Sequence, residues 1–155
     1  MPVTGAPRIF EDKFSFIVEI DGIAHAGFQK CSELSFEIDK VEYREGGRKH
    51  AYKSPGLVNF TDITLERGAV VDDSDLYRWA EECASIVEEA GVIETDFRRN
   101  FNIVVKDRDG TPLKRWRCTD AWVQKFVGGE WDNDASEKTI ESVVITFDAF
   151  ERRAV

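Results

Sequence analysis

The sequence predicts a mainly β fold: two packed β-sheets, as a sandwich or partial barrel, with one helix outside them. Three observations predict it. Residues Phe60–Arg67 and Lys138–Phe150 alternate apolar and polar side chains, the mark of strands with one buried and one wet face. Short β-prone runs are separated by turn signals at Asp21-Gly22, Asp109-Gly110 and Gly128-Gly129. One stretch, 73–90, carries apolar residues at helical spacing. The 155 residues suit one domain, with 42% hydrophobic and 12% aromatic residues for a core and 33% charged residues for a solvated surface.

In chain order, residues 1–12 are rich in Pro and Gly and read as an N-terminal arm. Phe14–Ile20 is the first strand, turned at Asp21-Gly22, with Ile23–Phe28 expected to return as a hairpin. Leu34–Arg44 is the second strand, and its apolar phase slips near Asp39-Lys40, which predicts a bulge or bend. Residues 45–58 combine Gly46-Gly47, Pro55-Gly56 and several cations without apolar periodicity, and read as a long loop. In Phe60–Arg67, Thr61, Ile63 and Leu65 share one face and Asp62, Thr64 and Glu66 the other. Asp72, Asp73 and Ser74 offer caps and favourable charge at a helix start. The stripe Leu76, Trp79, Ala80, Cys83, Val87 and Ala90 follows, with Gly91 as the stop. Asn102–Lys106 and Leu113–Cys118 form a hairpin around Asp107–Gly110, continued as Ala121–Val127. In the last strand, Val143, Ile145, Phe147 and Ala149 share a face.

Composition excludes several functions. Thirty acidic residues outnumber 21 basic ones for a net charge of -9, against the clustered cations that grip nucleic acid. No 18-residue apolar run predicts a membrane span, and the first residues lack a charged leader with an apolar stretch. Cys31, Cys83 and Cys118 are odd in number and far apart, which argues against a disulfide scaffold or a Cys-x-x-Cys metal site and fits a reducing cytosol. An intermolecular bridge from one thiol stays open. His25 and His50 have no partner at ligand spacing, and Asp107–Gly110 lacks the remaining ligands of a calcium loop. No activated nucleophile and no enclosed carboxylate pair is readable, so no catalytic residue, cofactor or metal is expected. Trp116, Trp122 and Trp131 leave open a monomeric β-sandwich that binds a sugar or other ligand, although burial suits them better.

The ordered segments Phe14–Gly22, Ala26-Gly-Phe28, Val41-Glu-Tyr-Arg-Glu-Gly-Gly47, Pro55-Gly-Leu57, Ile63–Gly68, Arg98-Arg-Asn100, Ala121-Trp122 and Ile140–Arg152 carry a likeness over nearly the whole chain. The chain resembles the tail-tube proteins of contractile phage tails and related machines, R-type tailocins and extracellular contractile injection systems. The resemblance implies a structural subunit of an inner tube, a virion component assembled in the bacterial cytoplasm, with DNA passing through the lumen unbound. The alternative within the class is a tailocin, injection-system or type VI-like ring that delivers proteins. Implied partners are copies of itself in stacked hexameric rings, a sheath protein, a baseplate or tube initiator, and a tail terminator; no membrane is implied.

Each subunit would lend four strands, 34–44, 59–67, 115–127 and 138–150, to a lumen barrel. Strands spaced about 4.8 Å and tilted roughly 40° give a 24-stranded barrel a backbone diameter of about 48 Å. Side chains narrow this by roughly 10 Å, which admits a duplex about 20 Å wide. Glu37, Asp39, Asp62, Thr64, Glu66, Thr146 and Asp148 are the candidate lumen residues, an acidic lining that keeps DNA from sticking. The 45–58 loop is the candidate contact between rings, with Arg44, Arg48, Lys49 and Lys53 as its cations.

Overall fold

The computed structural model describes residues 10–12, 15–23, 27–71, 73–85 and 97–154. Among these residues, nine strands and one helix run in the order β1 (Phe16–Ile20), β2 (Lys30–Cys31), β3 (Phe36–Tyr43), β4 (Tyr52–Phe60), β5 (Ile63–Gly68), α1 (Asp75–Ser85), β6 (Arg99–Lys106), β7 (Pro112–Val127), β8 (Ile140–Thr146) and β9 (Ala149–Arg153). All pairings are antiparallel. One layer holds β1, β6, β7 and β9; a second holds β7, β8, β5 and β2; β3 and β4 form a separate hairpin.

The 16-residue β7 belongs to both layers because it changes phase in the middle. Phe101 pairs with Cys118 but Arg99 with Ala121, so β7 carries an extra residue there, and Asp120 takes a left-handed φ of 54°. Cys118 points into the core on one parity, and Ala121 and Val123 point in on the other. The strand predicted as 138–150 breaks opposite this bulge, at Phe147-Asp148, where the Asp148 N–H donates to the Thr119 carbonyl at 3.0 Å.

The core lies between the layers. Ile63, Leu65, Val143 and Ile145 come from one side and Val18, Phe101 and Cys118 from the other. The predicted alternation in β5 and β8 thus holds for the residues that pack. α1 seals the edge with Leu76, Trp79 and Cys83, while the Trp79 Nε1–H donates to the Phe97 carbonyl at 2.7 Å. Its start is capped as expected: Asp73 Oδ1 accepts from the Asp75 N–H at 3.1 Å. Of the predicted helix 73–90, residues 86–90 and the Gly91 stop lie outside the described residues, as do Asp72, His25 and residues 1–9 of the predicted arm.

One expectation is corrected, and another lies partly outside the described residues. Of the expected return strand Ile23–Phe28, residues 24–26 lie outside the described residues; Ile23 forms an antiparallel bridge with Ile20, and β1 pairs with β6. The tight turn itself is present: Gly22 has φ 81°, and the Arg99 guanidinium lies where its Cβ would be. The 45–58 loop is shorter than expected, since Tyr52–Phe60 is strand β4, paired with β3 from Tyr43↔Tyr52 to Phe36↔Phe60. Gly, Pro and Ser residues mask this strand in the sequence. It tolerates Pro55 because a two-stranded arm has edges where a missing N–H costs little.

Candidate functional site

The β3–β4 arm has no core of its own. Every β3 residue is exposed, and among the described residues both strands pair with nothing but each other. The predicted phase slip is a register shift between Ile38 and Lys40, with the extra residue on β4 beside Asp39. Gly56 permits it, for a Cβ there would lie 3.1 Å from both the Asp39 carbonyl and Val41 Cγ2.

At the root, Phe36 and Phe60 stack at 5.8 Å and meet Phe150 and Phe147 of the body. By strand parity, Val41, Tyr43 and Tyr52 share the opposite face nearer the tip, exposed and without a covering layer. Sequence reasoning missed this patch because the loop assignment hid Tyr52, the partner of Tyr43.

The four predicted inter-ring cations all sit at this tip. Arg44, Lys49 and Lys53 line an open depression with Glu42, His50 and Ala51, while the Arg48 guanidinium lies 5.2 Å above the Tyr52 ring.

The predicted lumen residues fall into three groups. Thr64, Glu66 and Thr146 come together on the outer face of the β7–β8–β5–β2 layer, with cross-strand partners Val144, Ser142 and Trp122, and Asp62 precedes β5 in the same alternation. This face is mixed in charge rather than acidic, since Lys30 stands opposite Glu66 and Lys125 opposite Val144. Thr146 Oγ1 donates to Gln124 Oε1 at 3.1 Å. Glu37 and Asp39 lie apart, on the arm, where Asp39 Oδ1 accepts from Asn59 Nδ2 at 3.2 Å. Asp148 follows the strand break and pairs with Arg98 at 3.4 Å. Of the four strands expected side by side, β5, β8 and the second half of β7 are adjacent, but β3 is not hydrogen-bonded to them; the two-residue β2 occupies that edge.

A buried charge joint supports this face. Arg67 is 3% exposed, its Nε paired with Glu141 on β8 and its Nη1 3.1 Å from Asp73 at the helix start, with the Phe28 ring 5.8 Å away. The signal was present in sequence: Arg67 shares the parity of Ile63 and Leu65 and therefore points inward.

The three tryptophans form no platform. The β7 phase change puts Trp116 and Trp122 on opposite faces, both partly buried against the core, and Trp131 is exposed in the β7–β8 loop. Burial raises all three thiols: Cys31 to about 11, Cys118 to about 12, and Cys83 in the same direction. Asp109 is the turn residue expected, accepting from the Thr111 N–H at 3.0 Å. Among the described residues, no three His, Cys, Asp or Glu side chains are arranged to hold a metal ion. Within the same residues, no helix is long and apolar enough to cross a membrane.

Solved structures share the fold. A chain of the anti-feeding prophage cap (AFP tube terminating cap) matches with a TM-score of 0.81 and 22% identity over 100% of each chain. A chain of an extracellular contractile injection system, the PVC sheath–tube complex in its extended state, matches at 0.79 with 24% identity over 98% of this chain and 95% of that one. Hcp1 from Flavobacterium johnsoniae matches at 0.54 with 14% identity, over 90% and 94%. At these identities the likeness establishes fold alone. No curated protein sequence matches the chain. The family model described as T4-like virus tail tube protein gp19 matches residues 12–151, and the chain belongs to that family.

Proposed function

We propose that this tail tube protein is the repeating subunit of hexameric rings that stack into the inner conduit of a contractile phage tail. The observation that carries this is the arm: a hairpin solvated beyond its root, with an apolar patch and four cations at its tip. An isolated two-stranded hairpin is marginal in water, and unpaired edges invite association. The arm is therefore stabilised by a second copy, in the next ring.

The outer face of the β7–β8–β5–β2 layer lines the lumen, with Thr64, Glu66 and Thr146 toward the cargo and Asp62 at its margin. Such a face slides rather than grips, because its cations Lys30 and Lys125 are not clustered and Lys30 is answered by Glu66. The sheath, the baseplate or tube initiator and the terminator are its partners, in keeping with the sheath–tube and tube-cap assemblies in which the related folds were solved. The cargo is DNA, and the protein performs no reaction of its own.

The test is charge reversal at the tip, with Arg48, Lys49 and Lys53 each changed to Glu, read by sedimentation. The variant is expected to keep its fold and lose stacking. Filaments indistinguishable from the parent's would sink the arm's role.

A further inference from the structure

Residues 128–139 join β7 to β8 at the end of the sheet where Gly68 pairs with Ile140. The arm roots at the other end, where Phe36 and Phe60 meet Phe147 and Phe150. The loop and the arm therefore sit at opposite ends of the strand axis.

The loop carries Trp131, which is 76% exposed yet held in place. Gly129 has φ 146°, and a Cβ there would lie 2.4 Å from Thr139 Cγ2 and 3.3 Å from Trp131 Cζ2. The indole thus rests against a glycine that admits no side chain. Asp132 fixes the turn beyond it, accepting the Asp134 N–H at its Oδ1 (3.0 Å) and the Ala135 N–H at its carbonyl (3.2 Å).

Beside the indole is a depression of about 510 Å³, with Val127 and Ile140 as apolar lining and Glu66, Glu130, Asp132 and Glu137 as acids. Loop 128–139 holds four carboxylates against the one cation Lys138. The arm tip, residues 44–53, is its complement, with four cations against the one carboxylate Glu45. Its Tyr43 and Tyr52 rings and Val41 are the exposed apolar counterpart. The tip carries its tyrosines on one face of the ribbon with Arg48 over Tyr52, and Arg44, Lys49 and Lys53 around the depression on the other, so both faces of a seated tip would meet an apolar and acidic receptor of opposite sign.

We infer that the arm tip of one copy seats in the Trp131 depression of a second copy in the adjacent ring. This rests on the stacking role proposed above and names the receptor for it. The interface joins two different patches at opposite ends of the molecule, so it repeats without closing, as a stack of rings requires. An exposed, held indole that meets tyrosines and cations is the composition of an interface hot spot. The opposite charges set register and partner choice.

Two full-length variants test the pairing. One reverses the tip (Arg48→Glu, Lys49→Glu, Lys53→Glu). The other reverses the loop (Glu130→Lys, Asp134→Lys, Glu137→Lys) and leaves Asp132 in place. Sedimentation measures the threshold concentration for stacking, for each alone and for an equimolar mixture, and thermal melts check that each folds. Each variant alone is expected to raise the threshold at least about tenfold. The mixture is expected to return within about threefold of the parent, because reversed tip meets reversed loop and native tip meets native loop.

If the loop variant stacks like the parent while the tip variant does not, the arm's role stands and this receptor is overturned. If the mixture stays as poor as its components, the two surfaces do not meet and the inference is likewise overturned. If the tip variant stacks normally, the stacking role fails and takes the inference with it. Trp131→Ala, which leaves every charge in place, is expected to raise the threshold as well; an unchanged threshold overturns the docking independently of the charge variants.

Discussion

Arg67 ties the lumen-facing candidates to the rest of the domain, and its removal has a calculable consequence. It lies on β5, contacts Glu141 on β8 and Asp73 ahead of α1, and is almost fully enclosed. Arg67→Met keeps an apolar stem but removes the guanidinium that lies over Phe28 and strands two partly buried carboxylates without their cation. Removing one partner from a buried charge cluster costs about 3–5 kcal/mol. For a chain of this length each kcal/mol moves Tm by about 2–4 °C, so a fall of roughly 6–20 °C is expected.

Glu141→Gln is milder, about 1 kcal/mol, because its side-chain oxygen still accepts the Arg67 Nε–H. The triple variant Arg67→Met, Glu141→Gln, Asp73→Asn should recover part of the loss of Arg67→Met, since no stranded charge remains and the Asn oxygen can still cap α1. Calorimetric or circular-dichroism melts at low protein concentration read the domain rather than its assembly. A shift below about 3 °C for Arg67→Met would refute the reasoning that this joint holds the layer together.

Other outcomes follow from single contacts. Trp79→Phe removes the N–H that satisfies the Phe97 carbonyl and should cost about 1–3 kcal/mol in urea unfolding; an unchanged midpoint would mean that water replaces the indole. The Cys31 thiol, raised from 9.0 to about 11, should react with a thiol reagent at pH 8 roughly 100-fold more slowly than an ordinary cysteine. Because folding raises its proton affinity, this stabilisation is complete below pH 9 and fades as pH rises through about 11; a urea midpoint that climbs across that window would contradict the burial. Asp62→Lys with Thr64→Lys should make assembled tubes retain duplex DNA in a salt-sensitive way, and unaltered release would show that these positions do not line the channel.

Much of the fold is written in local periodicity. Ile63 and Leu65, and Val143, Ile145 and Phe147, announce inward faces by alternation, and all are buried. The Asp73 cap and the Leu76–Trp79–Cys83 stripe announce the helix in the same way. What escaped were events that break a period. The extra residue near Asp120 reverses the inward parity of β7, which separates Trp116 from Trp122. The pairing of β1 with β6, about 80 residues away, escaped as well, because local signals do not encode such pairings.

The candidate surfaces were legible as charge and obscure as shape. The cations Arg44, Arg48, Lys49 and Lys53 stand out in sequence, and the structure places them at one tip. The apolar patch beside them depends on β4, a strand disguised by Ser54, Pro55 and Gly56. Trp131 was visible as a lone aromatic among acids, but its exposure depends on Gly129 and on the turn that Asp132 closes.

The most direct test of the conduit is negative-stain electron microscopy of the purified protein across a range of concentrations. Six-fold rings and stacked tubes with a stain-filled central hole are the predicted result. Particles that remain single domains at every concentration would contradict the account.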